Sequence, residues 1–282
     1  VCHHAGDAER AQASLVQAQE MATALKVRDE SALGRAVAEL AAVLAEREPG
    51  GSRTTGERQT AHVADEDRDQ ALLEAGRLCA LGDIEYVEGR YEEAIQCYAD
   101  ALKLYRAHSD RAGEGNALSV LSTIYHAQGL LEQARVLYIQ SIDIARELGD
   151  KRAEVQRLGN LGATYEGLGQ YDQAIEYFNQ SIAIARELGD KRTEGRQLGN
   201  LGNIYWYQGL LDQSIEHYKQ ALSIASESGD KRMVGVCLGH LGGVYRVQGQ
   251  LEQAIEHYTQ SLTIARELGD RRHESHQLGN LG

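Results

Sequence analysis

Proline is nearly missing from this chain of 282 residues: Pro49 stands alone, as do one phenylalanine, Phe178, and one tryptophan, Trp206. With so few helix breakers, and Ala, Leu, Ile, Gln, Glu and Arg dominant, the balance predicts an all-α protein. No apolar run approaches the ~18 residues that a membrane-spanning helix needs, and no charged-then-apolar leader opens the chain. A soluble, cytoplasmic protein is expected. Blocks of five or more basic residues are also absent, and the formal charge is -13. Such a surface repels phosphates, so neither nucleic acid nor an anionic membrane is expected as partner.

Cysteine is scarce. Cys2, Cys79, Cys97 and Cys237 form no CxxC pair and follow no regular spacing, which points to free thiols in a reducing compartment rather than to a disulfide framework. The motifs of catalysis are missing too: there is no GxxxxGK[ST] loop, no GxSxG elbow, no GxGxxG after a strand and no HExxH. His273 and His276 could share a helical face but have no cysteine near in sequence, and Cys2-His3-His4 is ligand-like by composition only. Cys79 or Cys237 would need an activating pocket to serve as a nucleophile. No catalytic residue, metal site or cofactor is expected, and the chain is read as a non-enzyme.

What the sequence does have is a period. Gly-Asp followed by two basic residues recurs at Gly149-Asp150, Gly189-Asp190, Gly229-Asp230 and Gly269-Asp270, a spacing of 40. The same interval separates the Leu-Gly-Asn-Leu-Gly run at Leu158 from its copies starting at Leu198, Leu238 and Leu278. Complete repeats are placed at 78–117, 118–157, 158–197, 198–237 and 238–277, with a truncated sixth from 278. Within one repeat Leu158, Leu161, Tyr165 and Leu168 step by three or four until Gly169-Gln170. A second series, Tyr171, Ala174, Ile175, Phe178, Ile182, Ala185 and Leu188, then runs at helical spacing to Gly189. Each unit is thus a helical hairpin. Gly189 suits a left-handed cap, and Asp190 can accept the free amides of the next helix. Gly162, Gly202 and Gly242, with Ala174 and Ala254 opposite, are expected to bring the helices close, and Ser122 and Ser214 preserve the small volume.

Residues 1–47 read as a degenerate version of the same material, with helical runs through Ala11, Leu15 and Ala18 and from about Ser31 to Arg47. Residues 48–67, holding Pro49-Gly50-Gly51-Ser52, read as a flexible linker or loop, and 68–282 as the regular array. The chain opens at Val1 without methionine and stops just inside a motif seen before. A piece of a longer protein is therefore expected.

The spacing Leu201-Gly202, Tyr205, Gly209, Ser214, Tyr218, Ala221 resembles the tetratricopeptide repeat. Its usual 34-residue unit with a late proline is here extended to 40 through Ala-Arg-Glu-Leu-Gly-Asp, as in the LGN/Pins adaptor family and many bacterial multi-repeat proteins. Glu85 replaces the repeat tyrosine in the first unit, and no G-protein-binding motif follows, so a cell-polarity role is not implied. The resemblance implies an α-solenoid, a right-handed superhelix whose concave face is lined by the first helix of each hairpin and often grips a peptide.

On that analogy the groove should include Asn160, Asn200, Asn203, His240 and Asn280, with Glu166, Trp206, Tyr207 and Arg246 one turn later. Asparagine amides both donate and accept, so a row of them can hold an extended backbone; the competing reading is that they cap or bridge within the repeats. Trp206, beside the structural Tyr205, is the sharpest candidate for a partner contact. The turns Asp150-Lys151-Arg152 and Asp190-Lys191-Arg192 read as solvated helix starts. The expected function is a protein-protein interaction module holding an extended segment or helix of a protein or peptide partner. The alternatives are a regulatory or sensor arm acting on a covalently linked protease or NTPase effector domain, and a spacer or self-association surface.

Overall fold

The structure, a computed structural model, describes residues 55–282, with side chains from residue 66 on. The degenerate repeat expected over 1–47 and the stretch 48–54 lie outside the described residues. Among the described residues there are eleven helices and no strand: α1 (Thr55–Val87), α2 (Tyr91–Ala107), α3 (Arg111–Ala127), α4 (Leu131–Glu147), α5 (Lys151–Gly167), α6 (Tyr171–Leu188), α7 (Lys191–Tyr207), α8 (Leu211–Glu227), α9 (Lys231–Val247), α10 (Leu251–Glu267) and α11 (Arg271–Leu281). Each packs on the next, hairpin after hairpin, so the chain is an all-α solenoid.

Two boundaries differ from expectation. The linker expected to reach residue 67 is helical from Thr55. That stretch lacks large apolar residues, but after Gly56 it holds Glu, Arg, Gln and Ala and no proline, and these are good helix formers. The repeat frame also shifts. Units drawn from 78, 118 and 158 begin inside α1, α3 and α5, because a period can be counted from any of its residues and Leu78, Leu118 and Leu158 lie within a first helix rather than at its start. The hairpins begin just after Asp110, Asp150, Asp190, Asp230 and Asp270.

Those aspartates are the caps. Each accepts from the backbone N–H of the third residue on, Gly113, Ala153, Thr193 and Met233 at 3.0 Å and His273 at 3.1 Å, contributing about 1 kcal/mol apiece. The preceding turn needs a left-handed residue. Gly189 supplies it at φ 67°, but Ser109 takes the same place at φ 57°, a conformation costing an L-residue roughly 1–2 kcal/mol.

Helix proximity explains the other glycines. A methyl added at Gly202 would lie 2.7 Å from the Tyr218 ring, and one at Gly162 would lie 2.7 Å from Phe178, so each first helix rests directly on an aromatic face of its second helix. Ser122 fills the equivalent place in α3 and turns its hydroxyl back to the Leu118 carbonyl at 2.7 Å. Ser214 donates to the Gly202 carbonyl at 2.8 Å. Leu158, Leu161, Leu198, Leu201, Ile204 and Leu241 are closed to solvent on the same side, each contributing about 2 kcal/mol through burial.

Neighbouring hairpins are tied by polar groups as well as by apolar packing. Buried Arg157 donates to the Ser141 carbonyl and to Asn116 Oδ1, both at 2.7 Å, and so ties α5 to α4 and α3. Gln197 of α7 fills the space over Gly159 of α5, where any larger side chain would collide with its amide. The row of first helices is thereby held at close spacing.

Candidate functional site

The face of each first helix turned away from its second helix is the open surface of the array. On α7 it carries Arg192, Arg196, Asn200, Asn203 and Tyr207, residues at three- and four-residue intervals that share one side of a helix. The opposite side, Leu198, Leu201 and Gly202, is buried against α8.

Two of the expected groups come together on this face. Tyr218 of α8 reaches through to donate to Asn203 Oδ1 at 2.5 Å, and His240 of α9 stacks on the Tyr218 ring, with centroids 5.0 Å apart and planes at 3°. Burial, reinforced by the nearby positive charge of His276 and His273, lowers His240 to about 4. Farther along, Tyr207 is 63% exposed. It lies against Tyr171 at 6.2 Å and against Trp206 at 6.4 Å. Trp206 is half-buried and leans over α9, where Gly243 leaves it room.

The remaining candidates are scattered along the array. Asn160 is half-buried beside the Tyr138 hydroxyl. Asn200 donates to Gln197 Oε1 at 2.9 Å, and Asn280 to Gln277 Oε1 at 3.4 Å. Arg246 is exposed near the end of α9. Glu166 is half-buried, and burial raises its carboxyl. The asparagines thus hold neighbours inside the array while keeping part of their surface open.

The open face also holds arginines that the sequence reading either took for solvated helix starts, as at Arg152 and Arg192, or did not single out. Arg152, Arg192, Arg232 and Arg272 occupy the same place in the first turns of α5, α7, α9 and α11, and Arg196 follows one turn later on α7; all are exposed. Arg232 pairs with Asp270 at 2.7 Å. Their lysine neighbours behave differently: Lys151 and Lys191 turn back to Glu154 at 3.1 Å and Glu194 at 2.9 Å. Lys151 and Lys191 thus each hold a buried glutamate of their own helix from an exposed position. The four-residue step from Arg192 to Arg196 to Asn200 could have revealed that shared face.

Cys79, Cys97 and Cys237 are free thiols, and burial pushes Cys237 up to about 12, far from a reactive thiolate. Among the described residues no three His, Cys, Asp or Glu side chains converge as a metal would need. No helix among them is long and apolar enough to cross a membrane.

A family model described as tetratricopeptide repeat matches residues 75–147, 115–187 and 196–271, together more than half of the chain. The chain belongs to the tetratricopeptide repeat family. That fold is in general a non-catalytic interaction scaffold, and the solved structures it resembles share it. Aspartyl phosphate phosphatase F from Bacillus subtilis is 17% identical, with a TM-score of 0.73 over 95% of this chain and 74% of that one. A Rap protein complexed with Competence and Sporulation Factor is 16% identical, with a TM-score of 0.65 over 96% and 80%. A signal transduction ATPase with numerous domains and a tetratricopeptide repeat sensor, from Pyrococcus horikoshii, is 20% identical, with a TM-score of 0.65 over 72% of this chain and 31% of that one. A comparison with curated proteins finds no match.

Proposed function

We propose that the array binds an extended segment of a protein partner across the open, groove-lining face of its first helices. The observation that carries this reading is the exposed ring of Tyr207, stacked between Tyr171 and Trp206 on the same face as Arg196 and Asn200. An aromatic held rigid but left open loses little entropy on contact, and interface energy gathers on Trp, Tyr and Arg. The Rap complex with Competence and Sporulation Factor supports the reading by fold. Asn160, Asn200, Asn203, His240, Arg246 and Asn280 complete the proposed contact surface, the asparagines offering amides to the partner backbone.

The test compares the native chain with Trp206→Ala, Tyr207→Ala and Arg246→Ala, each exposed or half-buried and outside the hairpin cores. A partner cross-linked to the native chain and lost from all three variants supports the face; one that they retain moves the contact elsewhere. The likeness to the ATPase with a repeat sensor favours a second reading, a sensor arm on a longer protein. In that case adding the separate array would change the activity of a linked effector, and an indifferent effector would remove the idea.

A further inference from the structure

We propose that Glu166 receives an arginine of the partner: its carboxylate takes the guanidinium, and the exposed Tyr207 ring on the neighbouring first helix lies against the guanidinium plane. This rests on the peptide-binding reading above and adds the side chain by which the partner is recognised. Buried acids in this array are otherwise matched. Glu114, Glu154 and Glu194 are nearly closed to solvent, and each meets two cations at 3.1 Å or less. Half-buried Glu85, Asp100 and Glu274 pair with Arg90, Lys103 and Arg266, and the half-buried aspartates cap first helices. Among the described side chains Glu166 alone is half-buried with no hydrogen bond or ion pair at its carboxylate.

Its position is equally distinct. Glu166 takes the place held by His126 in α3, Trp206 in α7 and Arg246 in α9, in the last turn of each first helix. At the positions equivalent to Arg192, Arg196, Asn200, Asn203, Trp206 and Tyr207, the helices α3, α5, α7 and α9 hold no other Asp or Glu. The Tyr218 hydroxyl, which reaches this face at Asn203, relates Glu166 to the aromatic cluster. Burial raises that hydroxyl, and the nearness of Tyr207 and Glu166 raises it further. Glu166 and Tyr207 therefore approach one point from adjacent first helices. Burial also raises Glu166, with no cation among the described residues drawing it back. Burial lowers Arg196 of α7, whose charged neighbours are Asp190 and Arg192 rather than Glu166.

An arginine satisfies both features at once. Its guanidinium presents paired N–H donors that fit a carboxylate, and its plane stacks on an aromatic ring. Lysine brings a compact charge that holds its water more strongly and has no such plane. Tyr207 is 63% exposed yet braced by Tyr171 and Trp206, so little side-chain freedom is lost when a ligand covers it. A half-buried carboxylate without a partner costs stability in the free protein, and an arriving cation removes that cost.

The test uses the full chain and fluorescence anisotropy with labelled Ala-Leu-Ser repeats that differ only at one central residue: arginine, lysine, or citrulline as the uncharged isostere of arginine. The arginine peptide should bind about tenfold more tightly than the citrulline peptide. Glu166→Gln should erase that difference, whereas Glu176→Gln, at an exposed acid of α6, should leave it. Glu166→Gln should also unfold at the same temperature as the native chain or at a higher one. Earlier unfolding would show that the carboxylate has a partner inside the array, and overturns the proposal. Equal binding of the arginine and citrulline peptides overturns it too, as does a lysine peptide that binds as tightly as the arginine one. A preference that survives Glu166→Gln, or is lost equally in Glu176→Gln, has the same consequence. If arginine and citrulline peptides bind alike and both are lost with Tyr207→Ala, the groove reading stands and only the arginine assignment falls. If no peptide binds the native chain, both fall.

Discussion

The Tyr218 hydroxyl donates to Asn203 Oδ1 at 2.5 Å, and one repeat earlier the same two places hold Phe178 and Ala163, so hydroxyl and acceptor disappear together. The pairing recurs with different acceptors. Tyr98 donates to Asp83 at 2.5 Å, and the Tyr138 hydroxyl bonds with Thr123 at 2.9 Å. The last repeat departs from it, with Tyr258 facing Gly243.

A double-mutant cycle should measure this coupling. Tyr218→Phe and Asn203→Ala are each expected to cost about 1 kcal/mol in urea unfolding, with the double variant costing little more than either. Strict additivity would mean the bond contributes nothing. Asn203→Ala alone is consequently a poor probe of partner binding, since it disturbs the hairpin as well.

Much of this fold was legible in the sequence because a repeat displays its own rules. The 40-residue interval, the glycine turns and the aspartate caps each depend on neighbours within a few residues, so they could be read directly. The site was less legible. Asn160, Asn200, Asn203 and His240 sit on the expected face, but their contacts run to Tyr138, Gln197 and Tyr218. Two of those partners, Tyr138 and Tyr218, are on second helices at separations that helical periodicity does not reveal. The helix reaching back to Thr55 was missed for a related reason: its polar sequence predicts no buried stripe, and a missing stripe is not a missing helix.

Arg186 and Glu194 test the same internal logic with charge. Glu194 is nearly buried and receives Arg186 at 2.6 Å and Lys191 at 2.9 Å. Burial pushes its carboxyl up, but these hydrogen bonds outweigh that and hold it below the ordinary value. One repeat later the same places hold Ser226 and Val234. Arg186→Ser alone leaves a buried carboxylate with one partner fewer and is expected to destabilise by about 1–2 kcal/mol. Adding Glu194→Val should recover most of the loss, because the pair then copies the apolar solution of the next repeat. Chemical denaturation of the three variants decides it: a double variant weaker than Arg186→Ser shows that the two solutions are not interchangeable.

Acid should loosen the array before its carboxylates titrate. His240 is held at about 4, against 6.5 for an unperturbed imidazole, so the unfolded chain binds the extra proton first. Its stabilising contribution is complete above pH 6.5 and is lost progressively down to about pH 4. Burial lowers His126, His217 and His257 in the same direction. The lowered carboxyls of Glu154 and Glu194 contribute their loss only below 4.5, and Glu166, raised by burial, opposes it. The thermal midpoint should therefore fall between pH 6.5 and 4.5. His240→Asn, which installs the residue present at Asn160 and Asn200, should flatten that slope relative to the native chain. A midpoint that falls equally in both proteins would show that protonation of His240 is not what the stack resists.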